Sequence, residues 1–246
     1  MTQTFAFVGA TGGAGTTRLA VETAATLTRT GRDVAVVDAA FATQGLADYV
    51  SGRIDPDVTR LLTDEEATLD DAVTTVDIET PGTLSVVPAR APFERLARAK
   101  TAGAAERFEK QIAAAALSHD VVIVDTPPVA ANQAVAAVNA ADRVVVVTPE
   151  STRGDDALAH LRARLDDIGE TSHAVVATFA DGTPVVTDAD VRVPTSDVRD
   201  ASACPACLDP DEAFAPAVAA VAETALERDL GIEFESGGRL DGLLGE

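Results

Sequence analysis

Lysine is almost missing from this chain. Of its 19 basic residues only Lys100 and Lys110 are lysines; the other 17 are arginines, set against 40 acidic residues for a net charge of −21. Carboxylates hold water and cations, whereas long ammonium stems expose apolar surface, so this balance is that expected of a protein built for concentrated salt. There the Debye length falls to about 3 Å, and net charge has little say over partners beyond disfavouring anionic ones. With no basic patch in the sequence, duplex DNA and acidic membranes are poor partners, and nucleic-acid binding is not expected. Arg90, Arg95 and Arg98 interleave with acid and read as a solvated helical face.

Tryptophan is absent, Tyr49 is the one tyrosine, and only eight phenylalanines occur, so the core must be built from small aliphatic side chains. The single tyrosine and two distant lysines leave no Tyr-x-x-x-Lys pair of the kind short-chain oxidoreductases use to move a proton. Two cysteines, Cys204 and Cys207, make no disulfide framework and fit a reducing compartment. Their spacing suits a metal, but no second pair or nearby histidine completes four ligands, so a structural pair is expected. His119, His160 and His173 fall in separate elements and accompany no nucleophile. No apolar run approaches the roughly 18 residues of a spanning helix, and the first residues lack a charged-then-apolar leader; a cytoplasmic protein without integral membrane contact is expected.

What is present is an α/β pattern. Thr4 to Val8 is a short apolar run; Leu19, Ala20, Ala24 and Leu27 form one helical stripe before Gly31. Val34 to Asp38 reads as a buried strand ending in a carboxylate, and the pattern returns at Val121 to Asp125 and, without the acid, at Val144 to Val147. Residues 92–117, 151–168 and 212–228 each carry one apolar helical face. Continuous β-branched runs separated by helices predict a doubly wound, mostly parallel sheet with helices on both faces, a three-layer sandwich. One domain is expected over residues 1–235, with residues 55–80 as surface connection holding one or two short helices and residues 236–246 as a flexible acidic tail.

Between the first strand and helix lies Gly9-Ala10-Thr11-Gly12-Gly13-Ala14-Gly15-Thr16-Thr17-Arg18. It reads in two ways. As a phosphate cradle, Gly12, Gly13, Ala14, Gly15 and Thr16 wrap an anion on the positive end of the helix, and Thr17 takes the Mg²⁺-ligating hydroxyl position of G-x-x-x-x-G-K-[ST]. As a dinucleotide turn, the spacing matches G-x-T-G-x-x-G with Asp38 as the ribose acid of a Rossmann-type NAD(P)-binding oxidoreductase. The loop alone favours the second reading. Asp125-Thr126-Pro127-Pro128 favours the first, because a carboxylate at a buried strand end suits the water shell of a metal beside phosphates.

Taken in order, these segments resemble the MinD/ParA family of deviant P-loop ATPases along nearly the whole chain. Further matches are Leu69-Asp70-Asp71-Ala72-Val73, Leu84-Ser85-Val86-Val87-Pro88-Ala89, Val145 to Ser151, and Val193-Pro194-Thr195-Ser196-Asp197-Val198. The resemblance implies ATP and Mg²⁺ as cofactors, with Thr17, Asp38 and Asp125 on the metal, Asp38 also catalytic, and Pro194 beside the adenine. It also implies a homodimer, heterodimer or protein partner in positioning, partitioning or division-related assembly. The departures fall on catalytic positions: the family's signature lysine corresponds to Thr11, its cradle lysine to Thr16, the second aspartate of its D-x-D to Ala40, and its adenine-side asparagine roughly to Thr178. Arg18, in the first helical turn, is the candidate to fold back toward the anion. A nucleotide-binding switch with weak or lost hydrolysis is expected; a pseudoATPase that docks on an active paralogue without nucleotide, and the oxidoreductase, are the alternatives. The tail lacks the basic amphipathic helix of membrane-binding members.

Overall fold

Apolar strand runs alternate with helices throughout the computed structural model, which describes residues 2–209 and 214–234. The first half of the chain runs β1 (Gln3–Gly9), α1 (Thr16–Thr28), β2 (Val34–Asp38), α2 (Val58–Thr63), α3 (Leu69–Ala72), β3 (Thr74–Val76), β4 (Leu84–Val87), α4 (Phe93–Ala99) and α5 (Ala102–Ser118). It continues with β5 (Val121–Thr126), α6 (Asn132–Asn139), β6 (Arg143–Pro149), α7 (Thr152–Asp167), β7 (Ala174–Thr178), β8 (Val191–Val193) and α8 (Phe214–Leu226). The acidic tail expected over residues 236–246 lies outside the described residues. No described helix is long and apolar enough to cross a membrane.

The strands form one sheet in the order β3-β4-β2-β5-β1-β6-β7-β8. All pairings are parallel except that of β3 with β4. This order tells against the dinucleotide reading of the loop. In that fold β1 and β2 are neighbours, whereas here β5 lies between them and pairs with both.

Side chains alternate across the sheet, so each strand feeds two cores. Phe5, Phe7, Val34, Val36 and Ile123 face α1 and α8, whose Leu19, Ala24, Phe214, Val218 and Val221 complete one apolar cluster. On the other face Ala35, Val37, Val122 and Val124 meet α2, α5 and α6, while Ala6, Val8, Val144 and Val146 meet Leu158, Leu161 and Leu165 of α7. Burial on both faces is why these strands read as unbroken apolar runs. Phe41 and Phe108 pack edge to face with ring centroids 5.6 Å apart, filling volume that alanine and valine leave.

Two features departed from the pattern. Residues 55–80 hold α2 and α3 as expected but also β3, a three-residue antiparallel edge strand. Three alternating residues paired on one side only give no run to detect. The helical stretch at 92–117 is two helices, broken where Thr101 caps α5 by accepting from the Ala104 amide at 3.4 Å.

Phe108 is fully buried and shares its edge-to-face contact with Phe41. Phe108→Ala is expected to cost about 3–5 kcal/mol and to lower Tm by roughly 10 °C in a domain of this size. Calorimetry in concentrated KCl reads the shift; an unchanged Tm would show that this face repacks freely.

Candidate functional site

β1 delivers the chain to the carboxyl edge of the sheet, where Ala10 N donates to Val147 O at 2.8 Å. The turn that follows needs left-handed backbone at Gly13 (φ 77°) and Gly15 (φ 81°), a region closed to most side chains. Gly15 is also the residue from which α1 starts, and no side chain caps the first turn of that helix. Its amides are therefore aimed at the loop's concavity, the arrangement that receives anions. Ala14 is buried, and its carbonyl accepts from Thr178 Oγ1 at 2.7 Å, so the loop is tied to the end of β7.

The sheet register then brings two acids together. Asp38, the last residue of β2, and Asp125, the penultimate residue of β5, are direct neighbours in the parallel pairing, and both are almost wholly buried. Asp125 Oδ2 accepts from Thr17 Oγ1 at 2.6 Å. Asp38 accepts from Ala40 N at 2.7 Å and Ala89 N at 3.1 Å. Burial, and secondarily the Asp125 charge, raises the Asp38 carboxyl to about 8, with the backbone donors opposing. Burial likewise raises Asp125 to about 6, against the hydrogen bond from Thr17. Burying a charge without an opposite charge favours the neutral form.

Thr17, Asp38 and Asp125 thus supply a hydroxyl and two carboxylates, the hard oxygen donors a Mg²⁺ ion accepts. They fit the ion: a divalent cation would offset two acids that nothing else here neutralises. Among the described residues no group of three or more His, Cys, Asp or Glu forms a metal site by itself. Such an ion would therefore need further oxygens from a ligand or water. The cavity above these residues, about 370 Å³, is lined by the loop from Thr11 to Arg18, with Ala40, Tyr49, Asp125 and Pro128.

Among the described residues no ammonium lines this cavity, and the one arginine that does is engaged elsewhere. Arg18 Nε donates to Glu22 Oε1, Nη1 to Val198 O at 3.1 Å and Nη2 to Ser196 Oγ at 3.4 Å, and the guanidinium lies 5.7 Å from the Phe214 ring centroid. The expected return of Arg18 toward the anion is not what the structure has. The reason is Glu22, one helical turn on and fully buried, whose carboxylate holds the guanidinium on the far side of the loop. Thr16 tucks toward β1, such that a Cβ placed on Gly9 would come within 2.7 Å of its Oγ1. Thr11 and Ala40 line the cavity without charge.

Pro194 lies in a second cavity of about 260 Å³, which shares Gly15 and Arg18 with the first and adds Thr178, Phe179, Arg199 and Phe214. Sequence reasoning missed Phe179. The available signal was an aromatic at a strand end in a chain with few aromatics. Cys207 is buried, its amide donating to Glu22 Oε2 at 2.8 Å and its thiol to Glu22 O at 3.1 Å. Burial pushes that thiol well above its ordinary value, while Cys204 donates to Asp200 O at 3.2 Å. Cys207 thus ties its segment to Glu22 of α1. His173 Nδ1 accepts from Val144 N at 3.0 Å, a strand-end role.

The raised acids carry a pH signature. Their folded values exceed those of the unfolded chain, so above about pH 4 the unfolded chain sheds protons first and stability contributed by this pair falls as pH rises toward about 8. In metal-free protein, Asp125→Asn is expected to raise Tm by several degrees near pH 8 and to leave it unchanged below about pH 4. Paired melts across pH measure this; a difference that is constant with pH would contradict it.

A family model described as an AAA domain matches residues 2–177, well over half of the chain. No curated protein matches at a significant level. Among solved structures, the septum site-determining protein MinD of Pyrococcus horikoshii OT3, complexed with Mg-ADP, is 18% identical with a TM-score of 0.77, covering 91% of this chain and 95% of that one. A ParA family ATPase from Chlorobium tepidum TLS is 20% identical at a TM-score of 0.75, covering 92% and 99%. MinD of Aquifex aeolicus, solved as a MinC:MinD cell division protein complex, is 18% identical at 0.75, covering 94% and 98%. The chain therefore belongs to the AAA domain family and has the P-loop fold shared by MinD and ParA.

Proposed function

We propose that this chain is a nucleotide-binding switch of MinD/ParA type that holds a Mg²⁺-bound nucleoside triphosphate, ATP by likeness to its relatives, and cleaves it slowly or not at all. The observation that carries the reading is the Thr17 hydroxyl bonded to Asp125 beside Asp38 at the mouth of a glycine loop, with no free cation in the loop. The amides from Gly13 to Thr17 receive the phosphates, while Thr17, Asp125 and Asp38 hold the metal. Bound Mg²⁺ would neutralise phosphate charge there. Phosphoryl transfer needs positive groups on the charge that develops in the transition state. With threonine at positions 11 and 16 and Arg18 bound to Glu22, the described residues that line the cavity offer none from their side chains. The relatives that act in cell division, one of them with Mg-ADP and one with MinC, support a role in spatial positioning, partitioning or division-related assembly. That role would be exercised in the cytoplasm, in a dimer or with a protein partner.

Titration with Mg-nucleotide in molar KCl is expected to give saturable binding with phosphate release at background. No saturable signal at millimolar nucleotide would overturn the nucleotide reading, and brisk Mg²⁺-dependent release would overturn the slow-hydrolysis reading. Restoring a charge-assisted hydrogen bond by Thr16→Lys should tighten triphosphate binding about ten- to a hundredfold. An unchanged dissociation constant would mean that the phosphates lie elsewhere.

A second reading is favoured by the same lack of a free cation: a scaffold that pairs with an active paralogue without nucleotide. There Asp125→Ala leaves pairing intact, whereas in the switch it abolishes nucleotide-dependent pairing.

A further inference from the structure

The chain sets 19 basic residues against 40 acidic ones, yet Arg53, Arg60, Arg90 and Arg95 line one cavity of about 480 Å³ with Ile54 and a single acid, Asp55. They come from separate places: Arg53 from the loop ahead of α2, Arg60 from α2, Arg90 from the loop after β4 and Arg95 from α4. No stretch of the sequence therefore shows them as a patch.

Three of the four are placed by carboxylates. Asp55 bonds Arg53 and takes Arg60 Nη1 at 3.1 Å, while Asp64 takes Arg60 Nε at 3.3 Å. Arg95 Nε donates to Thr59 Oγ1 at 2.9 Å, and its Nη2 lies 3.1 Å from Oδ1 of buried Asp57. Arg90 differs. Its amide donates to Asp57 Oδ2 at 2.7 Å, its carbonyl accepts from Arg95 Nη2 at 3.1 Å, and the next amide, Ala91 N, donates to Gln44 Oε1 at 3.2 Å. On that pinned backbone the guanidinium is exposed and, among the described residues, has no partner. Arg60 Nη2 and Arg95 Nη1 likewise donate to nothing there.

A guanidinium presents its donors as a fork that fits a carboxylate, and Asp55, Asp57 and Asp64 show these forks taking that group. In concentrated salt charges are screened beyond about 3 Å, so the net charge of the rest of the chain does not cancel this cluster. The cluster can hold an anion only by direct contact. One exposed ion pair contributes little, so a ligand needs several carboxylates joined together, each added contact being intramolecular once the first is made. A duplex follows an extended positive surface; this is a single concavity flanked by Asp55 and Asp64.

We propose that this cleft docks an acidic segment of a partner protein, one carboxylate on Arg90 and others on the open donors of Arg53 and Arg60. The proposal does not depend on the nucleotide reading of the glycine loop.

Titration of a fluorescein-labelled hexaglutamate peptide with the full chain in concentrated KCl, read by anisotropy, tests it. Saturable binding is expected, weakened about threefold to fivefold by Arg90→Ala and by Arg53→Ala. Arg98→Ala, exposed on α4 but outside the cleft, should change nothing. Arg53 and Arg90 are exposed, and both variants should keep the wild-type Tm. Lack of saturable binding, or an equal loss in Arg98→Ala, overturns the proposal. So does displacement by free glutamate as effective as by unlabelled peptide at equal carboxylate, which would assign the cleft to small anions. A labelled DNA duplex that binds more tightly than the peptide and depends equally on Arg90 would overturn it in favour of nucleic acid.

Discussion

Pairing β2 against β5 forces Asp38 and Asp125 side by side in a buried strand edge, and the chemistry of the site follows from that adjacency. Two carboxyl groups stripped of water and set next to one another are held toward their neutral forms by burial, and Asp38 also by the charge of Asp125. The Thr17 hydroxyl and two backbone amides make up part of the lost solvation. None of these carries a full positive charge. A P-loop with lysines has ammonium groups nearby to share that load; among the described residues none lines this loop. The sheet that dictates the adjacency is the same one that separates β1 from β2.

On the opposite side of α1, Glu22 does for structure what the acid pair does for chemistry. Its fully buried carboxylate takes Arg18 and the amides of Ala206 and Cys207, and its own carbonyl takes the Cys207 thiol. Leaving a buried carboxylate without its donors would be strongly unfavourable. Arg18 is accordingly fixed by Glu22, Val198 O and Ser196 and is not a spare cation for the glycine loop. The Cys-Pro-Ala-Cys segment takes its place as part of the same knot, which explains a metal-like spacing in a pair where one thiol is buried and both thiols donate to carbonyls.

Much of this was legible in the residues themselves. Runs such as Val34 to Asp38 and Val121 to Asp125 are continuous because both faces of their strands are buried, and their terminal acids fall at the carboxyl edge because parallel strands all end there. The glycine loop was legible too, since Gly13 and Gly15 occupy backbone that other residues avoid. Strand order was not: local spacing allows a dinucleotide turn and a phosphate cradle alike, and only the insertion of β5 between β1 and β2 separates them. The direction taken by Arg18 was also hidden, because it depends on Glu22 meeting Ala206 and Cys207, far away in the sequence. β3 escaped for want of length, and Phe179 because backbone strain at a non-glycine residue leaves no mark in composition.

The Thr178 hydroxyl donates to the loop at Ala14 O at 2.7 Å and lies 3.2 Å from Thr148 O of the neighbouring strand. That rivet gives the glycine loop the stiffness of the sheet behind it, so its curvature is set before any anion arrives. A receptor already in its final shape loses little freedom on association. On the proposed nucleotide reading, a cradle whose curvature is preset by the sheet would recover part of the affinity that missing ammonium groups forfeit.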